Sequence, residues 1–120
     1  MGRRITTIYD DLLHRRVAAA LEGIHEDRLD EVAGLIAQHY TEGGQPELAT
    51  KYARLAGERA MRLAAWKTAI GFFRQALAGT SAADQPELLL ALGNALLQTG
   101  EFAAAEEALR TALPMPPTQR

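Results

Sequence analysis

The chain has 120 residues, 48% of them apolar, a formal net charge of −2 and no cysteine. That length fits one domain or a piece of a larger protein, and it is enough to bury a core. The missing thiols exclude disulfides, zinc–thiolate sites and cysteine chemistry, and the near-neutral charge argues against a general polyanion binder.

Alanine and leucine dominate and β-branched runs are rare, so the expected fold class is all-α. Breaks are marked by Gly43-Gly44 with Pro46, by Gly79 to Pro86, by Gly100, and by Pro114, Pro116 and Pro117. Residues 8–24 form the first predicted helix. Its apolar set is Ile8, Leu12, Leu13, Val17, Ala20, Leu21 and Ile24, at three- and four-residue steps. Asp10 and Asp11 are expected in its first turns, where the helix dipole favours negative charge. A short connector comes next, with Asp27 as the expected N-cap of a second helix over 28–42. Its apolar set is Leu29, Val32, Ala33, Leu35, Ile36 and Tyr40, and Gly43-Gly44 close it in the left-handed region.

Pro46 opens a third helix, running to about residue 64, because a proline in the first turn costs little. Further helices are predicted over about 67–78, 86–99 and 102–113, and the tail 114–120 is expected to fray. Six helices with short connections give three hairpins in sequence: 8–44, 46–83 and 86–117 of one domain. No apolar run approaches the ~18–20 residues that span a bilayer. Arg3 and Arg4 are followed by Asp10, Asp11 and His14, which interrupt any signal-like segment. The expected setting is therefore soluble and cytoplasmic.

The tetrapeptide QPEL occurs at 45–48 and again at 85–88. A shift of forty leaves the later helical pattern unaligned, but a shift of thirty-six aligns it. Gly57 then meets Gly93, Ala69 meets Ala105, Arg74 meets Arg110, Ala76 meets Ala112 and Leu77 meets Leu113. QPEL is thus a helix start used twice, one turn earlier in the third helix than in the fifth. A period near thirty-four with two helices per unit signals a helical repeat array.

The segment from Leu88 to Pro117 resembles a tetratricopeptide repeat. Leu89, Leu92, Gly93, Leu96, Gly100, Phe102, Ala105, Leu109 and Ala112 occupy the positions of the family pattern, and Pro117 falls where such repeats often end. Residues 50–83 are a looser copy, with Ala64 in place of the turn glycine. The resemblance implies a right-handed superhelix of stacked hairpins that binds a protein or peptide in a concave groove and has no catalytic activity. A second, broader resemblance, over 12–77, is to the helical-repeat region of large bacterial signalling ATPases and LuxR-type regulators. It implies a sensor or scaffold segment; no Gly-rich phosphate loop is present.

The charges are uneven. Residues 46–78 carry six basic and two acidic side chains, whereas 79–113 carry one and five. Lys51, Arg54, Glu58 and Arg62 share one helical face. By repeat register that face lines the groove beside Leu90, Asn94, Leu97 and Gln98. These eight residues are the candidate binding set, and an acidic peptide is the expected ligand. Asn94 suits the carboxylate clamp known in the family, but Leu90 does not, so no clamp is expected. Pairing of the stripe with Glu22, Glu26 and Glu87 is the competing use of these charges. Uncapped ends at Leu109, Ala112 and Leu113 make a self-associating segment the alternative function.

His14, His25 and His39 fall on different helices or a connector and are read as unrelated, so neither metal nor cofactor is expected. HEDRLDE lacks the second histidine of a zinc-protease helix, since Leu29 stands in its place. The acidic pairs 10–11, 30–31 and 106–107 diverge by ~100° on their helices and form no acid–base dyad. Nucleic acid is not an expected partner, because no helix-turn-helix signature accompanies the basic stripe.

Overall fold

The computed structural model describes residues 5–113, with side chains from Thr7 onward. Residues 3, 4 and 114–120, including Pro117 and the tail expected to fray, lie outside the described residues. Six helices succeed one another: α1 (Ile5–Ile24), α2 (Leu29–Glu42), α3 (Pro46–Arg62), α4 (Trp66–Ala78), α5 (Gln85–Gln98) and α6 (Phe102–Ala112). There is no strand among the described residues. Each helix packs chiefly on its neighbours in sequence. The radius of gyration is 16.6 Å, against about 14 Å for a compact domain of this length. The molecule is an elongated all-α stack of hairpins.

The thirty-six-residue register is visible in the packing. Ala33, Ala69 and Ala105 are each fully buried, one per hairpin. A Cβ on Gly57 would lie 2.6 Å from Phe73 Cε1, and one on Gly93 would lie 2.7 Å from Leu109 Cδ2. The two pairs are thirty-six residues apart on both sides. A helix without a side chain lets the bulky residue of its partner sit directly on its backbone, which sets a close crossing.

The turns repeat in the same register. Gly100 closes the α5–α6 turn with φ 80°, and Ala64 occupies the equivalent place with φ 58°. An L-residue there crowds its Cβ against the backbone, at a cost of about 1–2 kcal/mol. Ala64→Gly should therefore raise stability by about 0.5–1 kcal/mol, after allowing for the greater freedom of glycine in the unfolded chain. Urea unfolding checks this: the midpoint should rise with the slope unchanged.

The first hairpin departs from the sequence-based expectation in three ways. Helix α1 starts at Ile5, so Asp10 and Asp11 lie beyond its first turn, and Asp11 is buried. The N-cap of α2 is Arg28 rather than Asp27, with no capping side-chain bond; the glycine pair ends α2 as expected, with Gly43 as its C-cap and Gly44 in the left-handed region. Most important, α1 is turned over. Ile8, Leu12, Leu13, Val17 and Ile24 are exposed, the last at 71%, while Asp11 and Ala18 are buried. Ala20 is exposed as well, and Leu21 alone of the expected set packs against the core. Sliding by thirty-six would place Ala18 and Glu22 with the outward-facing Arg54 and Glu58; α1 turns them inward instead.

The reason lies in what its polar side meets. Glu22 accepts hydrogen bonds from the hydroxyls of Tyr40 on α2 and Tyr52 on α3, the latter at 2.6 Å. Arg15 Nε donates to Gly43 O at 2.5 Å. A carboxylate that accepts from two phenols, one on each oxygen, can turn inward and become half-buried at reduced cost. Burial, then the hydrogen bond to Glu22 and its charge, pushes the Tyr40 phenol up to about 12 and raises Tyr52 by the same causes. An unfolded tyrosine titrates near 10. The stability that Tyr40 contributes should thus be complete below pH 10 and be lost as pH rises from 10 to about 12. The difference in unfolding free energy between wild type and Tyr40→Phe, measured across that range, should shrink with rising pH.

Candidate functional site

Helix α3 begins at Pro46 and carries its basic residues along one face because they recur at three- and four-residue steps. That face joins the hairpins. Arg54 Nη2 donates to Glu87 Oε2 of α5 at 3.0 Å, and its Nε lies 3.5 Å from Glu58 Oε2. The hydrogen bond to Glu87 is the main cause that holds the Arg54 guanidinium above its ordinary pKa. At the other end, Arg62 Nη2 lies 3.1 Å from Asp30 Oδ2, and Arg59 Nη1 is 3.7 Å from the same carboxylate. Each exposed pair contributes roughly 0–1 kcal/mol, so their role is more to set the neighbour than to hold the fold.

The eight candidate residues therefore separate. Glu58 and Arg62 are engaged in ion pairs within the chain, as is Arg54. Of the acidic residues expected to compete for the stripe, Glu87 does so, whereas Glu22 is taken by the tyrosines. Lys51 is exposed, with its Nζ 5.3 Å from the centroid of the Tyr52 ring, and it has no carboxylate within ion-pair distance among the described residues. Lys51 and Arg54 line an open cleft of about 450 Å³ together with Glu47 of α3, Thr80, Ser81 and Asp84 of the α4–α5 connection, and Leu88 of α5. No sequence signal marks this cleft, since its wall is a loop whose position depends on how α4 and α5 stack.

Leu90, Asn94, Leu97 and Gln98 are exposed on α5. Leu97 belongs to a different depression, of about 510 Å³, at the end of the stack with Phe102, Leu109 and Leu113. Of the expected uncapped end, Leu113 is exposed, Leu109 is half-buried and Ala112 is buried. No helix among the described residues is long and apolar enough to cross a membrane.

Two of the three histidines, His14 and His39, are not unrelated, whereas His25 stays apart from them. His14 Nδ1 lies 2.9 Å from His39 Nδ1, and His14 Nε2 lies 3.1 Å from Glu42 Oε2. The separation of twenty-five positions hid this pairing, since the turned-over α1 is what brings His14 to α2.

No curated protein and no solved structure matches the chain. The family profile described as tetratricopeptide repeat matches residues 60–120. That match spans the α4 hairpin partner and the whole α5–α6 unit, the region where the thirty-six-residue register, the Gly93–Leu109 crossing and the left-handed Gly100 turn coincide. The chain belongs to the tetratricopeptide-repeat family.

Proposed function

We propose that the chain is a non-enzymatic interaction module that holds an acidic peptide segment against the exposed face of α3 and α5. Family membership supports a protein–protein interaction role. The observation that carries the finer reading is Lys51: an exposed cation lining a cleft beside Arg54, in ion-pair contact with no carboxylate among the described residues, Glu47 and Asp84 of the same cleft included. Leu90 and Leu97 supply apolar contact farther along, and Asn94 and Gln98 supply donors and acceptors to a peptide backbone. The role as a scaffold or sensor segment of a larger bacterial regulator fits the same reading.

The test uses a displayed library of acidic and basic peptides. Wild type should enrich acidic sequences, and binding should weaken between 0.1 M and 1 M salt as the Debye length falls from ~10 Å to ~3 Å. Lys51→Glu breaks no ion pair in the fold, so it should abolish the enrichment without unfolding. Equal recovery of acidic and basic peptides, or indifference to Lys51→Glu, refutes the proposal.

A second reading has its own observation. Both ends of the stack are apolar: Ile8, Leu12, Leu13 and Val17 on α1, and Phe102 and Leu113 at the other end. Terminal repeats ordinarily need a polar outer face. Head-to-tail stacking of copies would cover both ends and would not close. Light scattering after size exclusion distinguishes the two: growth in mass with concentration supports stacking, and a constant monomer removes it.

A further inference from the structure

We propose that His14 and His39, with Glu42 hydrogen-bonded behind His14, form a binding site for a divalent transition-metal cation of the zinc, nickel or copper class, clamping α1 to the end of α2. The three side chains offer ligand atoms that lie within 4.8 Å of one another. With both rings neutral, their hydrogen bonds select which nitrogen is free. Glu42 can only accept, so its contact at 3.1 Å makes His14 Nε2 the protonated nitrogen. His14 Nδ1 then carries a lone pair, and it points at His39 Nδ1, 2.9 Å away. The proton between the two rings occupies the place a metal would take.

The fit needs movement of side chains and none of the backbone. Two imidazole nitrogens on one tetrahedral zinc, each at about 2.0–2.1 Å, stand about 3.4 Å apart. The ring centroids are 5.1 Å apart, so the two nitrogens face each other nearly head-on. The rings must therefore open by about half an ångström and each turn by about 35° to meet at a tetrahedral angle, and His39 must shift its own proton to Nε2. Glu42 behind His14 raises the basicity of the ligand and holds its orientation, as carboxylates commonly do behind metal-bound histidines. Water completes the coordination, since His14 and His39 are only half-buried. The α2 terminus favours a cation here, and its dipole works against the like charge of Arg15 close by. The site lies at the C-terminus of α2, the negative end of its dipole. The neighbouring Arg15 guanidinium is tied to Gly43 O, and this contact pins the end of α2 against α1 beside the site.

Zinc chloride is titrated into tag-free protein and followed by calorimetry and by thermal unfolding. Binding should be one to one and should raise Tm by several degrees at saturation. His14→Gln and His39→Gln should each lose the bound zinc, Glu42→Gln should weaken it about tenfold, and His25→Gln should match wild type. Zinc that binds wild type and both histidine variants alike, or that does not bind wild type, overturns the proposal. Ring signals of the wild-type protein provide a readout that needs no variant. Zinc should shift the His14 and His39 resonances together and leave those of His25 in place; a shift of His25 alone would mean an adventitious ion only.

Discussion

Phe73→Ala should cost roughly 3–5 kcal/mol, the range for removing a buried aromatic side chain from a packed core. Phe73 is 1% exposed on α4 and rests on the bare backbone of Gly57 on α3. Its loss leaves a cavity that the crossing cannot close, because the α3–α4 turn and the packing of α5 on α4 fix the helices from both sides. A domain of this size has a net stability of only about 5–15 kcal/mol, so the variant should sit close to its unfolding threshold. Leu109→Ala, the equivalent change one repeat later, should cost less, since Leu109 is half-buried at the end of the stack. Urea unfolding of both variants checks the order. A Phe73→Ala value within ~0.5 kcal/mol of wild type, the size of an ordinary surface effect, would contradict the packing described for the second hairpin.

Helices α3 to α6 were legible because the sequence specifies them twice. Pro46 and Pro86 mark helix starts, and a thirty-six-residue shift restates the close-contact glycines and the buried alanines. Helix α1 also announced itself, but its orientation did not. Hydropathy shows which residues gain from burial; it does not show which neighbour will be there to bury them. The neighbours of α1 are two phenols, a histidine and a carbonyl, and these select its polar side. The apolar half is what remains. For the basic stripe, the shared face of Lys51, Arg54, Glu58 and Arg62 came from helical spacing alone. Its partial neutralisation did not, because Asp30 and Glu87 lie about thirty residues away on either side, and only the stacking of hairpins brings them near. The Lys51 cleft and the His14–His39 pair were hidden for the same reason: each joins elements whose relative placement is tertiary.

Glu22→Ala is expected to be the most damaging change among the polar residues. The carboxylate accepts from both Tyr40 and Tyr52, whose rings stack with centroids 6.0 Å apart and 20° between planes. Both tyrosines are buried, Tyr52 to 1% exposure. Removing Glu22 orphans two buried hydroxyls, at roughly 1–3 kcal/mol each, and water entering the vacated space offsets part of this. A net loss of about 2–4 kcal/mol is therefore expected. Glu22→Gln keeps an acceptor for one phenol and should cost less, about 1–2 kcal/mol, since the bonds lose their charge assistance. The triple variant Glu22→Leu/Tyr40→Phe/Tyr52→Phe removes donors and acceptor together. It should recover most of the loss, because apolar groups of similar volume often replace a buried polar cluster with no net penalty. The non-additivity of the three changes, read from urea unfolding, measures the coupling directly. Native-state hydrogen exchange locates it: in Glu22→Ala the amides of α1 should lose protection first, while those of α5 and α6 stay as in wild type. Uniform loss along the whole stack would mean that Glu22 supports the array generally. No loss at all would mean that α1 is held by something other than its buried polar face.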